Sequence, residues 1–488
     1  MKLNLKILFL FVLIGGSVIS QNSTFSPYSR FGLGELNSPA FAQIGALGGS
    51  FVGFKPDTTA PLFINVANPA SISGIRLTTL ELGGISQFTE FNNGLNKVKT
   101  KTVNFSYGSL GFPVGRRAGA AFGIMPYSNV GYNLRTENYL DPVGTVTSKY
   151  SGDGGINRVF LGYGIMPFKK VLNRFYLSAY KDSLVANKEV KKYKRIKFRK
   201  QLLSDLSIGG RADYLFGNIL QTTSVIYPSS TMYFNTRRYR GTTYHDITGS
   251  FGIQTSFVID SIRKTKSIKD SLGKHKPHGR RELKQKIRIG FGYYVSLPTL
   301  VKASNSTIAY NYALNSFGDE IPKDTFVYVV DQKGTVRLPL EQGIGLSVKK
   351  GDMLNFVVDA SYTNWQQFRY FGTVNSLNNS YRVSFGLNFV PNKFAAGSGA
   401  YIRRVQYRIG AFYNTGFLEL KNTAINNYAA TVGLGLPVGL FRQFSMVNIS
   451  AQFGQMGSIN NGLMQERYIR LLVGFTFNDK WFQKFRYD

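Results

Sequence analysis

The 488-residue sequence contains no cysteine, only three histidines and two tryptophans, and 26 acidic residues against 59 basic ones. Without cysteine there is no disulfide scaffold, thiolate-held zinc, iron–sulfur cluster or thiol nucleophile. With only His245, His275 and His278, imidazole-based hydrolysis and metal chemistry have few footholds. Beyond the first 20 residues no apolar run approaches the roughly 18–20 residues that a transmembrane helix needs. A hydrophobic content of 43%, with 52 Gly, 29 Tyr and 39 Phe, is in turn too apolar for a disordered chain.

The first residues read as a secretory signal, cleaved after residue 20. Lys2 and Lys6 form a positive region, Ile7–Ile14 an apolar one, and Val18-Ile19-Ser20 a cleavage site before Gln21. An exported chain without a membrane helix is either soluble or a closed β-barrel, since only helices and barrels satisfy all backbone polar groups in lipid.

Period-two alternation decides for the barrel. Near the C-terminus Ile469, Leu471, Val473, Phe475 and Phe477 share one face and Arg470, Gly474 and Thr476 the other, with Leu472 the exception. Tyr381, Val383, Phe385, Leu387 and Phe389 likewise oppose Arg382, Ser384, Gly386 and Asn388. Segments of about 10–14 residues exceed the usual strand of about 5–6 and match the ~9–11 residues that cross the hydrocarbon at a tilt. Fourteen segments fit, near 76–90, 100–112, 117–132, 156–168, 203–217, 243–260, 285–298, 335–349, 353–365, 379–390, 401–415, 424–437, 443–455 and 466–478. Residues 300–312 are an alternative to the eighth. The expected fold is all-β, a transmembrane antiparallel barrel of residues 76–478, followed by a periplasmic tail of residues 479–488. Its surroundings are outer-membrane lipid and lipopolysaccharide.

Turn lengths give an orientation. The short connections Pro113–Arg116, Lys349–Asp352 and Pro437–Gln443 suit the periplasm, and the long polar ones at 133–155, 217–242 and 299–334 suit the outside. Two connections on the periplasmic side, 169–201 and 261–284, are long and strongly basic. They read as solvated loops, or as contacts for a periplasmic or cell-wall partner. Nucleic acid is not expected, because the chain is exported and the insertions carry no interleaved aromatic platform.

The second strand face points Arg211, Arg288, Arg382, Arg404, Arg408 and Arg470 inward, with Asp213 and Asp359 as counter-charges. On the lipid face each charge would cost about 2–4 kcal/mol at the midplane. These are the candidate polar contacts of the lumen, either an internal salt-bridge network or a surface tolerant of anionic head groups. Trp365, Trp481, Tyr362, Tyr370, Phe482 and Phe485 suit interfacial aromatic girdles. No catalytic, metal or cofactor site emerges. His275 and His278 sit among arginines, and His245, beside Asp246, lacks an identifiable serine partner.

Residues 21–75 are rich in Gly and Ala and poor in charge, too short for a domain and too apolar for a free tail. Ala46-Leu-Gly-Gly-Ser-Phe-Val-Gly53 permits tight packing, and Asn68-Pro69-Ala70 suits a tight turn. Folding into the lumen as a plug would bury the stretch. The Gly/Ala-rich lead, an acidic residue, an apolar triplet and Asn68-Pro69-Ala70 before the first strand, with the count of fourteen, resemble the FadL-like outer-membrane transport family. Ser26-Pro-Tyr-Ser-Arg-Phe-Gly-Leu-Gly34 and the ending Asn478–Asp488 look similar to exported barrels of the Bacteroidetes group. The resemblance implies an N-terminal hatch that includes Asn68, Pro69 and Ala70. It also implies passive uptake of fatty-acid-like hydrophobic or amphipathic compounds, released sideways through the wall, without enzymatic activity or cofactor. The same barrel type includes a non-transporting member that shuttles cargo in type IX secretion. A barrel that binds or anchors a protein partner is therefore the alternative.

Overall fold

The computed structural model describes residues 26–37, 41–54, 63–168, 198–199, 201–228, 233–259, 287–315, 317–374, 377–397, 399–438 and 445–479. The signal segment, nearly all of both basic insertions, the tail beyond Asp479, His275, His278, Trp481, Phe482 and Phe485 lie outside these residues.

Fourteen antiparallel strands form a closed wall. In chain order they are β1 (Thr78–Asn92), β2 (Lys97–Val114), β3 (Ala118–Leu140), β4 (Gly144–Ile165), β5 (Ser207–Ile226), β6 (Asn235–Ile259) and β7 (Ile287–Ser296). They continue with β8 (Glu341–Lys350), β9 (Leu354–Thr363), β10 (Ser380–Phe389), β11 (Gln406–Asn414), β12 (Asn427–Val438), β13 (Ser445–Met456) and β14 (Gln465–Asp479). Each pairs with the next, and β14 closes on β1 from Thr78↔Asp479 to Asn92↔Gln465. Closure removes the free edges that an open sheet would expose to lipid.

Alternation sets the two faces. Ile469, Leu471 and Phe477 of β14 and Tyr381, Val383 and Phe385 of β10 are exposed on the outside, where lipid would cover them. Leu472, the exception in its strand, points inward and is buried against Gly45 of the N-terminal segment. Glycine at positive φ makes the tight turns at Gly115 (φ 76) and Gly351 (φ 57), both on the side of short connections.

The long outer connections are strands rather than loops. β3 and β4 stay paired out to Leu140↔Gly144, and β5 and β6 to Val225↔Thr236. Between β7 and β8 the chain makes an outer hairpin of Leu300–Leu314 and Glu320–Arg337. Its first arm pairs with the outer half of β6 and not with the membrane wall. Residues 300–312 and the eighth wall strand are therefore both strands, and the latter begins at Glu341 because the residues before it belong to the hairpin. One side of the barrel thus carries a six-stranded outer sheet.

Trp365 is not an interfacial residue. It is buried under the outer loops, stacked 4.3 Å from Phe417 and next to Phe368. The short turn Trp365–Gln367 aims it inward, which period-two reasoning does not foresee. Tyr370 is half-buried and pairs its hydroxyl with Thr242 at 2.8 Å, whereas Tyr362 packs beside the outward Tyr381 at 5.1 Å.

Candidate functional site: the lumen, its chamber and a gap in the wall

The described N-terminal residues lie against inward-facing residues around most of the barrel. Helix Ala42–Gly45 packs on β12, β13 and β14, and the turn Pro69–Gly74 on β3, β4, β5 and β6. Glycines in the wall make room. A Cβ at Gly292 of β7 would collide with Val52 O, and one at Gly209 of β5 with Pro69 O. Asn68 caps the turn, accepting the Ala70 N–H at 3.2 Å and donating to Val52 O at 2.9 Å. Asn68, Pro69 and Ala70 are all buried.

The wall holds this segment mostly by its backbone. Asp359 of β9 accepts the N–H groups of Phe51, Val52 (2.7 Å) and Gly53 (3.4 Å). Its hydrogen-bond partners are backbone amides of the N-terminal segment. Glu81 of β1 takes Gln43 Nε2 at 3.0 Å and the Ile64 N–H at 3.2 Å, and Glu466 of β14 takes the Ser26 hydroxyl at 2.7 Å. Arg382 donates to Gly48 O at 3.0 Å and lies 3.9 Å over the Phe412 ring. Arg470 pairs with Glu35 and donates to Gln87 at 2.6 Å. Arg211 forks onto Asp213 at 2.7 and 2.8 Å and also donates to Val66 O.

The other three anticipated arginines differ in where they stand. Arg408 faces inward but bonds only wall residues among the contacts described, Gln406 at 2.5 Å, Asn448 at 2.9 Å and Asn388 at 3.2 Å. Arg288 sits at the mouth on the short-turn side, 3.1 Å from Asp205. Arg404 is not on a lumen face, because Ala400–Arg404 is a short helix before β11, where alternation does not apply, and its guanidinium lies 5.9 Å over Tyr401. His245 is exposed on the outer face of β6.

Above the Gly49–Phe51 stretch lies a chamber of about 310 Å³. Its roof is the apolar cluster of Trp365, Phe417, Leu418 and Ile425. Arg158, Arg211, Arg382 and Arg470 line it, together with Glu35, Asp213 and Glu341.

The chamber reaches an interruption of the wall. β2 and β3 pair only from Gly108↔Ile124 to Val114↔Ala118. Seven paired residues rise about 18 Å at a tilt of ~40°, short of the ~25 Å apolar band of such barrels. Beyond them β3 bends at Pro126–Tyr127, where its register with β4 shifts. The bared edge of β3 is covered by the N-terminal segment. Glu35 and Leu36 pair with Asn129 and Ser128, the Asn37 N–H donates to Tyr127 O at 3.0 Å, and Ser29 Oγ accepts the Gly131 N–H at 3.1 Å. Leu36, Asn37 and Tyr127 also line the chamber.

Sequence reasoning missed Arg158, Glu81, Glu341 and Glu466. Arg158 shares its inward row with the buried Ile156 and Phe160, so its strand lacks a polar face to read. The signal for Glu81 was available, since it alternates with Thr79 and Gly83 at the start of β1.

A closed membrane barrel of fourteen antiparallel strands, with its N-terminal residues packed against the inside of the wall, is the class these features define. In fold it is similar to the toluene transporter TodX of Pseudomonas putida, at TM-score 0.50 and 12% identity over 90% of this chain and 99% of that one. The Ralstonia pickettii toluene transporter TbuX matches at TM-score 0.49 and 12% identity, over 94% of this chain and 100% of that one. A Pseudomonas aeruginosa FadL homologue matches at 0.46 and 11%, over 88% and 96%. No curated protein matches by sequence. The BamG family profile matches residues 2–173 and 277–488, and the chain belongs to the BamG family.

Proposed function

We propose that the protein is an outer-membrane channel for passive passage of hydrophobic or amphipathic small molecules, fatty-acid-like in character, with residues 21–75 as its hatch. In this reading residues 1–20 direct export, and the barrel sits among lipid and lipopolysaccharide. The observation that carries it is the chamber's continuity with the gap between β2 and β3. A compound in the chamber has only Leu36, Asn37 and their neighbours between it and the lipid. Movement of the Glu35–Leu36 patch would open a sideways route without exposing an apolar compound to the aqueous periplasm.

The test is permeation of a fluorescent long-chain fatty acid into vesicles holding the purified barrel, native and with Asn68-Pro69-Ala70 replaced. Flux above that of empty vesicles, changed by the replacement, supports the reading. Absence of flux from both folded proteins refutes it for this class of compound.

One observation favours the alternative of a barrel that binds a protein partner. The outer hairpin exposes Phe317, Phe326, Tyr328 and Val330, a larger apolar display than a surface loop needs. The basic insertions would be a second contact on the other side. Co-purification of one defined partner, lost when Lys191–Lys200 or Arg263–Arg281 is deleted, would favour that reading.

A further inference from the structure

The lipid-facing rim of the barrel is not uniform. On the side of the long outer connections, the outermost lipid-facing residues of β9, β10, β11 and β12 are Tyr362, Tyr381, Tyr413 and Tyr428. Tyr362 stands opposite Tyr381, and Tyr413 opposite Tyr428. Such a row suits an interfacial girdle. From Tyr428 the pairing leads through Gln455 of β13 to Arg467 of β14, then to Glu90 of β1 and Lys99 of β2. Tyrosine gives way to cations there. Lys97, Lys99 and Lys101 share the outward face of β2, and all three are exposed, as is Arg467.

The same strand sets the height of this patch. Inward from Lys101 the lipid-facing residues of β2 are Val103 and Phe105 and, past the register shift with β1, Leu110 and Phe112. Val103 to Phe112 rises about 23 Å at a tilt of ~40°, close to the ~25 Å apolar band of such barrels. Lys101 is therefore the first outward residue of β2 beyond the hydrocarbon, its ammonium 5.3 Å over the ring of the exposed Phe88. Arg467 holds the same place on β14, next to the exposed Ile469. Lipid head groups occupy that level.

The four cations of the patch stand around a single carboxylate. Glu90 lies 3.7 Å from both Lys97 and Lys99. Among the described residues no carboxylate comes within ion-pair distance of Lys101 or Arg467. Lysines along a bare strand edge also discourage strand addition, and Lys97–Tyr107 is the part of β2 that has left β3. Arg467, however, is separated from that edge by β1, so edge protection does not account for it.

We propose that Lys97, Lys99, Lys101 and Arg467 form a binding site for the phosphate groups of an outer-leaflet glycolipid of the lipopolysaccharide type. Its acyl chains lie along Phe88, Val103, Phe105 and Ile469. Adjacent strands are ~4.8 Å apart and alternate residues of one strand ~6.6 Å. Long, flexible lysine and arginine side chains can therefore converge on a phosphate between them and donate charge-assisted hydrogen bonds to it. The site is on the lipid side of the wall and does not rest on the passage reading.

The full-length barrel, stripped of lipid in detergent, is titrated with bisphosphorylated lipid A and with the same lipid A after removal of both phosphates. Bound lipid is counted by native mass spectrometry, and inorganic phosphate is added as a competitor. The phosphorylated lipid should bind at least about tenfold more tightly than the dephosphorylated one, and equimolar inorganic phosphate should not displace it. Replacing Lys97, Lys99, Lys101 and Arg467 together by Gln should shrink the preference to within about twofold, in a barrel judged folded by its fast unboiled gel mobility. Lys302→Gln with Lys323→Gln and Lys333→Gln removes exposed cations from the outer hairpin and should keep the preference. Arg467→Gln alone should lower it roughly threefold or more, which edge protection would not do. Equal affinity for the two lipids in the native barrel overturns the proposal, and needs no variant to fold. So does a preference that survives in the folded fourfold variant, an equal loss in the hairpin variant, an Arg467→Gln barrel that binds as native, or displacement by equimolar inorganic phosphate. Phosphate preference without vesicle flux leaves this site standing and refutes the passage reading. Flux without phosphate preference does the reverse.

Discussion

Replacing Asp359 by Asn should loosen the N-terminal segment while leaving the barrel closed. The carboxylate receives the N–H groups of Phe51 and Val52 on one oxygen and that of Gly53, longer at 3.4 Å, on the other. Asn is nearly the same size, but it loses the charge and turns an NH2 group toward amide donors. Two good charge-assisted bonds are worth about 1.5–3 kcal/mol each, and one neutral bond can survive, so the net loss is about 2–3 kcal/mol. That raises the undocked population of residues 46–54 roughly 30- to 150-fold at 1.4 kcal/mol per decade. Amide hydrogen exchange in detergent reads this directly, with β9 and β10 as internal controls. Ser384→Ala removes only the 3.0 Å bond to the Ser50 hydroxyl and should speed the same amides by roughly threefold to tenfold. Unchanged protection in the Asn variant would mean that packing alone holds the segment, and the clasp argument would fail.

Three further outcomes follow from the same geometry. Leu36 and Ser128 face each other in an antiparallel pair, within disulfide reach, and the sequence has no other cysteine. Leu36→Cys with Ser128→Cys should therefore block vesicle flux when oxidised and restore it on reduction, whereas flux through the oxidised barrel would exclude the wall gap as the route. Gly292→Val should exclude Val52 from its seat, exposing the N-terminal residues to protease while the unboiled barrel migrates as native; continued protection would show that the close approach can relax. Burial, with the Glu466 carboxylate adding to it, pushes the Tyr28 phenol up to about 12. Because the folded value is raised, its contribution is complete below the ordinary ~10 and is lost as pH rises through about 12. Exchange of residues 26–37 should thus accelerate in that alkaline window, and Tyr28→Phe should flatten the dependence.

The sequence made the wall legible because each crossing strand meets lipid on one side, and lipid imposes a strict period of two. The ends of β10 and β14 could be read to within a residue or two for that reason. Legibility failed where a strand had no lipid to face or where something covered its inner face. The outer hairpin has water on its flanks, so its residues looked like a long polar connection. Ile156 and Phe160 are apolar and inward because the N-terminal segment and the roof cover them, and Arg158 was lost between them. Among the candidate lumen residues, alternation could not say what Arg211, Arg382 and Arg470 touch. Their partners at Val66, Gly48 and Glu35 lie 145, 334 and 435 residues away in the chain.

Bare strand edges explain where the N-terminal segment has to go. An unpaired backbone group in hydrocarbon costs several kcal/mol, and the divergence of β2 and β3 begins within the apolar band. The edge of β3 at Tyr127–Gly131 is the part closest to that band, and there the chain supplies Ser29, Glu35, Leu36 and Asn37 as substitutes for β2. Among the described residues the second arm of the outer hairpin is bare over most of its length, meeting backbone beyond its partner arm at Thr335, Val336 and Arg337. It projects into water and is guarded differently, by Pro322, three register shifts and the charges of Lys323, Asp324, Asp331 and Lys333. Such features discourage a further strand from adding to an edge. The β3 edge has neither a proline nor a register shift over Ser128–Leu140; Arg135 and Glu137 charge its outer part, and the N-terminal residues cover Tyr127–Gly131. The same few residues thus complete the wall and close the chamber, and displacing them would do two things at once: open the route to lipid and expose a strand edge that must be covered again.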